Sequence, residues 1–163
     1  ILFKVMQTEL IKFINDPFDA EKVFWLAEKY YNSGHTASAL TYYLRVTEYS
    51  KDDNLIYESL AKAGLCLQKQ GNRIHSTEGV YLQAISYLPK RPEAYFLLSR
   101  LYGENRKWNE SYMLANVALA TCDFNLPLLK TDVEYSGQLV FTFEKAVSAW
   151  WMGRLDESLE LFL

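Results

Sequence analysis

The chain has 163 residues, 50% of them hydrophobic and 23% charged, a balance that suits one globular domain and excludes a disordered one. Its 17 Lys and Arg against 20 Asp and Glu leave a formal charge of −3, which argues against a general nucleic-acid backbone binder. No apolar run approaches the ~18 residues of a membrane span. The opening residues include Lys4 and Glu9 and do not read as a signal-peptide core. Cys66 and Cys122 lie far apart in apolar stretches, without metal-ligand spacing, which favours a reduced, cytoplasmic setting. The chain begins with Ile1 and stops at Leu163 inside a helical pattern, so both ends read as cut from something larger.

In chain order, Leu2, Val5, Met6, Leu10, Phe13 and Ile14 recur at helical intervals and predict an amphipathic lead-in helix over 2–14. Asn15-Asp16-Pro17 ends it. Asp19 is placed to cap a helix running to about Ser33, and Gly34 supplies the left-handed turn that closes it. Thr36 is expected to cap a partner helix over 37–49, with Ala39, Leu40, Tyr43, Leu44 and Val46 facing inward. A second pair is predicted at 54–70 and 74–88, phased by Gly71. Gly64 falls where two helices cross closely, and Tyr81 and Ala84 keep register only if one residue is inserted near His75-Ser76. Pro92 opens a third pair, 93–104 and 108–121, whose turn has Arg106 where glycine stood before, so Asn105 is the expected left-handed residue.

From Thr121 to Leu129 the pattern breaks into an irregular but apolar stretch, read as an ordered insertion at 122–131 packed on the helices. Thr131 with Glu134 three residues on has the form of a capping box, so a helix is expected to restart near Asp132 and run to Gly153. A last helix from Asp156 carries Leu159 and Phe162.

The units share one pattern: Leu26, Ala27, Tyr30, Gly34, Ala39, Tyr43 and Val46 return, without the glycine, as Leu98, Ser99, Tyr102, Ser111, Ala115 and Ala118. A spacing close to two steps of about 34 residues, filled by helical hairpins, resembles the tetratricopeptide repeat across residues 19–163. The resemblance implies an all-α solenoid with a right-handed superhelix of about nine helices. It would form a single domain over 1–163: a lead-in helix at 1–15, repeats at 19–50, 53–89 and 92–121, the insertion, and a divergent, truncated repeat at 132–163. A narrower likeness runs from Arg91-Pro92-Glu93-Ala94 through Asp132-Val133-Glu134-Tyr135 to Trp150-Trp151-Met152-Gly153-Arg154. Residues 89–163 resemble the helical-repeat region attached to family-2-type glycosyltransferases, which implies a parent protein with a sugar-transfer domain beside this one and a saccharide acceptor reached through it.

No chemistry of catalysis is legible. His35 and His75 fall in inter-helix turns without further ligands, no glycine-rich phosphate loop is present, and Asp52-Asp53 and Asp156-Glu157 suit helix starts. A saccharide-active enzyme would need paired carboxylates that cannot be nominated. The chain is therefore expected to be a non-catalytic interaction module without cofactor or metal, excised from a larger protein. Its expected partner is a protein, a peptide or a neighbouring domain. The alternative is a free-standing peptide adaptor.

Translating the first helices by the repeat puts Phe24, Glu28 and Tyr31, then Gln68 with Ala61 and Leu65, then Phe96, Arg100 and Gly103, then Phe143, Val147 and Trp150 on one aromatic concave stripe. The rings either line that groove or are buried by the superhelix or the insertion; Glu28 and Arg100 are the residues expected to be exposed in it.

Overall fold

The computed structural model describes residues 2–163, with the side chains of all of these except Leu2, Phe3 and Val5. Nine α-helices and no strand occur among them. They fall into two compact units, 1–87 and 88–163, each built from helices packed on their chain neighbours.

In the first unit, α1 (Leu2–Asn15) packs on α2 (Ala20–Asn32), which pairs with α3 (Thr36–Tyr49); α3 packs on α4 (Asp53–Gln70), which pairs with α5 (Ile74–Tyr87). Asp19 caps α2, its carboxylate accepting the Glu21 and Lys22 amides, and Asp52 caps α4 in the same way through Asn54. The core between α2, α3 and α4 is Val23, Phe24, Ala27, Ala39, Tyr43, Val46, Leu55, Ala63 and Cys66. Leu40 is half-buried and Leu44 is exposed, so the inward stripe of α3 is narrower than expected: Ala39, Tyr43 and Val46 fill it alone.

In the second unit, α6 (Glu93–Glu104) pairs with α7 (Trp108–Thr121) and α8 (Leu139–Trp151) with α9 (Leu155–Phe162), α8 packing on both α6 and α7. Residues 122–138 between them carry no helix. The helix expected from Asp132 therefore starts seven residues late, at Leu139. Asp132 Oδ1 accepts the Glu134 amide at 2.8 Å, and Glu134 sits in the left-handed region at φ 63°. Its carboxylate turns away to Arg100 instead of reaching back to a helix start. A capping box needs that backward reach, and here a stronger charged partner takes it.

Three of the hairpin turns are the same object. The amides of His35, Lys107 and Arg154 each donate to a carbonyl five residues back (Tyr30, Tyr102, Ala149) at 2.9 Å, while Gly34, Arg106 and Gly153 bond three residues back and take positive φ. This is the Schellman arrangement, in which the residue just past the C-cap must be left-handed. Two expectations are corrected by it. Arg106, at φ 58°, is the left-handed residue; Asn105, at φ −96°, is the C-cap, and its side chain serves the Leu101 carbonyl at 2.8 Å. Thr36 is the first residue of α3, and His35 holds the N-cap position without a side-chain bond to the helix amides, because the turn already fixes it there.

Counted from the left-handed residue, each hairpin places small buried residues where its helices cross. Ala27, Ser99 and Ala146 stand seven before it; Ala39, Ser111 and Ser158 stand five after. Ser99 Oγ donates to Ser111 O at 3.0 Å and Ser158 Oγ to Ala146 O at 2.8 Å, so these crossings are backbone-close. In α4/α5 the left-handed Asn72 follows Gly71, and Thr77 again lies five beyond it. The inserted residue is therefore at Gly71-Asn72, not near His75-Ser76.

Gly64 is then eight before the turn, and the large Tyr81 crosses it. A Cβ at Gly64 would lie 2.1 Å from Tyr81 Cε1, in a ring that is fully buried and tied to Gln68. The ring has nowhere to retreat. Gly64→Ala should destabilise by about 1–3 kcal/mol through overpacking, despite the higher helix propensity of alanine. Urea denaturation giving wild-type or greater stability would show that the crossing is not tight.

Candidate interaction surfaces

The residues expected on one stripe divide between the units, and their environments differ. Phe24 is fully buried in the α2–α3–α4 core, edge-on to Tyr43 at 5.9 Å. Glu28, expected exposed, is buried: its carboxylate accepts from the Tyr43 hydroxyl and from Asn32 Nδ2 at 3.2 Å, and it pairs with Lys62 at 3.2 Å. Lys62 lies 34 residues on, one repeat along the chain, so the two helices bring opposite charges face to face. Mutual neutralisation plus hydrogen bonds is what makes both charges tolerable inside.

Burial, and then the bond to Glu28, pushes the Tyr43 phenol far above its ordinary range, so it stays a donor. Tyr31 is half-buried and receives two ammonium groups on its ring, Lys62 at 4.3 Å and Lys69 at 3.9 Å. Gln68 is half-buried and accepts from the Tyr81 hydroxyl. Ala61 and Leu65 are buried.

On α6 the insertion itself occupies the stripe. Phe96 is buried against Tyr135 at 5.9 Å and Phe141 at 6.3 Å, and Phe124 meets Phe141 at 6.0 Å. Arg100 binds Glu134 at 2.7 Å and lies over the Phe96 ring, three-quarters buried in its side chain. Two anchors hold the segment down: buried Arg91, paired with Glu93, donates to Pro127 O at 2.8 Å, and the Asp123 amide donates to Lys90 O. Burial pushes the Tyr135 hydroxyl up to about 12. A cleft of about 440 Å³, lined by residues that include Glu93, Phe124 and Tyr135, remains beside the segment.

Phe143 and Trp150 stand apart from these, 57% and 56% exposed. With Leu139 and the half-buried Val147 they make a stripe on α8 at intervals of four, four and three, opposite buried Phe141, Ala146, Ser148 and Ala149. The adjacent α9 adds exposed Leu155, Leu159 and Phe162; Phe143 and Phe162 meet edge-on at 6.1 Å. Asp156 and Glu160 are exposed on the same helix, one residue after Leu155 and Leu159 respectively. The stripe expected from the sequence named Phe143, Val147 and Trp150 and did not name Leu139, Leu155, Leu159 or Phe162. The signal was present in the spacing of each helix, yet the inner phase of α8 could not be set while its start was misplaced at Asp132.

Solved structures with this arrangement of helices are known. A crystal structure of MamA superposes with a TM-score of 0.78 at 12% identity, covering 99% of this chain and 84% of that one. PilF of Pseudomonas aeruginosa gives 0.69 at 8%, over 91% of this chain and 60% of that one. A thermophilic TPR protein of Thermus thermophilus gives 0.63 at 18%, over 99% and 79%. The fold is tetratricopeptide-like. No protein-family model and no curated protein sequence matches the chain, so the glycosyltransferase-linked likeness of residues 89–163 has no counterpart among them.

Within this tetratricopeptide-like frame, no described helix is long and apolar enough to cross a membrane. No group of three or more His, Cys, Asp or Glu is placed to hold a metal among the described residues. Burial pushes the free thiols of Cys66 and Cys122 up to about 12 and about 11, far from a reactive thiolate.

The buried charges carry two consequences for stability. Lys62→Met leaves Glu28 without its cation and should cost about 3 kcal/mol in urea denaturation; a loss under ~0.5 kcal/mol would show that the pair is solvated. Glu144 has its carboxyl raised above the ordinary value by burial, with Arg100 opposing the shift and Glu104 adding to it. A raised carboxyl favours the protonated fold, so its stabilising contribution is complete below the unfolded value and lost as pH rises through the folded one. Glu144→Gln should therefore raise Tm relative to wild type at about pH 7, and the difference should vanish by about pH 4. A constant difference across that window would exclude the linkage.

Proposed function

We propose that this chain is a non-catalytic protein-interaction module and that it docks an amphipathic helix of a protein partner on the α8–α9 face. The observation that carries the reading is the exposed apolar surface of Leu139, Phe143, Trp150, Leu155, Leu159 and Phe162, with half-buried Val147 among them and Phe143 meeting Phe162 across the two helices. Isolated exposed apolar residues are ordinary, but a contiguous patch on two adjoining helices marks a surface that something covers.

The fold itself supplies the template for the occupant. Helix α8 covers the α6–α7 hairpin, and α4 covers α2–α3. A helix laid on α8–α9 would repeat that packing, inserting residues at three- and four-residue spacing between Phe143, Trp150 and Leu159. Asp156 and Glu160, exposed on α9, call for Lys or Arg beside the partner's apolar stripe, which sets orientation more than affinity. The proposed surface keeps Phe143 and Trp150 of the expected stripe. It leaves out Phe24, Glu28 and Phe96, whose side chains are committed to internal contacts.

A direct test compares two synthetic helices with the same Leu stripe, one flanked by Lys and one by Glu. The Lys-flanked helix should bind at least ten times more tightly, and Phe143→Asp with Leu159→Asp should abolish binding while leaving Tm within a few degrees of wild type. Equal binding of both peptides, or binding unaffected by the substitutions, rejects this face as the docking surface.

A further inference from the structure

A second surface of unlike chemistry lies at the turn end of the second unit, where the α6–α7 and α8–α9 turns stand side by side. They frame a cleft of about 620 Å³ whose lining includes Arg106, Lys107, Trp108, Glu110, Trp151 and Arg154. Trp108 and Trp151 stack at 5.5 Å with their planes 9° apart, bridging the two turns. Trp151 is 62% exposed, so the pair presents an open aromatic platform instead of a buried plug.

The charges around this platform are unbalanced. Arg106 and Lys107 form no ion pair among the described residues; Lys107 only approaches the Tyr102 ring, at 5.4 Å. Arg154 lies over Tyr112 at 5.0 Å and reaches Glu157 at 3.6 Å, but that carboxylate is already shared with the Tyr112 hydroxyl and with Lys145. Glu110 is the one carboxylate in the lining. In a chain of net charge −3, three cations are thus gathered at one aromatic cleft.

Arg106 is also the residue that departs from the repeat. The equivalent left-handed positions of the matching turns are Gly34 and Gly153, and an L side chain there carries a backbone penalty that glycine avoids. Among the described residues its guanidinium makes no hydrogen bond, ion pair or ring contact. A costly arginine, unpaired and pointing no contact inward, is explained if an external anion is its partner.

We propose that this cleft binds an acidic peptide segment of a protein partner, its carboxylates met by Arg106, Lys107 and Arg154 and an adjoining apolar or aromatic side chain laid on Trp151. Arginine forks fit carboxylates two bonds at a time, and a tryptophan face gives a short peptide the apolar anchor it needs. A nucleic-acid strand fits less well, since two unpaired cations neutralise too few phosphates. An anionic bilayer fits less well, since exposed Glu104 and Glu110 flank the cations and would meet the same negative surface.

The test measures fluorescence anisotropy of a labelled peptide pool rich in Asp and Glu, each member with one Phe or Leu, against a pool with every acid replaced by its amide, using the whole chain. The acidic pool should bind saturably, more weakly at high salt, and at least ten times more tightly than the amide pool. Arg106→Gly should weaken that binding about ten-fold while leaving Tm equal or higher, because glycine suits the turn better; a merely structural arginine would lower Tm on replacement. Trp151→Ala should weaken binding without abolishing the salt dependence. The proposal is overturned by equal binding of both pools, by full affinity in Arg106→Gly, or by sedimentation with phosphatidylserine vesicles in place of peptide binding. Phe143→Asp, on the α8–α9 face, should leave this binding intact, so failure of the helix-docking surface and failure of the cleft are read separately.

Discussion

Helices can lie side by side at backbone distance only where neither presents bulk, and that constraint organises both units. Ala27 against Ala39, Ser99 against Ser111 and Ala146 against Ser158 meet the requirement with small residues on both sides. At α4–α5 the same space is divided unequally: glycine on one helix leaves room for a tyrosine ring on the other. The summed volume at a crossing is conserved while its partition is not, which is how close packing tolerates divergent repeats. The Schellman turns set the phase of those residues, because the five-residue-back bond fixes how far the second helix is rotated when it begins.

The polar groups inside follow from the same closeness. Glu28 and Lys62 are buried as a pair, and the Tyr43 hydroxyl and the Tyr31 ring stand in for water around them. Such a pair adds little net stability against an apolar alternative, but it fixes one register, since a slip by one residue would strand two charges. In the second unit the 122–138 segment plays a comparable part: Arg91, Arg100 and the ring cluster of Phe96, Tyr135 and Phe141 tie an irregular chain down. A surface that could have been a groove on α6 is thereby filled from within, and open apolar area is left on α8 and α9 instead.

Helices and most of their limits were legible because apolar spacing, Asp19 and the phasing glycines are local signals. So was the need for a small residue at Gly64, since repeats compared with each other reveal which slot never holds bulk. The errors fell where a distant group took a local residue away. Glu134 reads as a cap only until Arg100 claims it, and Glu28 reads as exposed only until Lys62 and Tyr43 neutralise it. Asn105 reads as the left-handed residue from propensity alone, whereas the turn's bonding pattern assigns that conformation by position and places Arg106 there.

The sequence by itself determined an all-helical chain of paired, phased hairpins with an irregular segment before the last pair, since periodicity, capping and turn chemistry act within a few residues. Only the tertiary structure decided which rings are core and which are surface. Burial depends on what arrives from elsewhere in the chain: Tyr135 comes to rest on Phe96, while Trp150 is left more than half exposed. The gathering of Arg106, Lys107 and Arg154 around two stacked tryptophans belongs to that second class, because two turns nearly fifty residues apart meet only once α7 and α8 have packed.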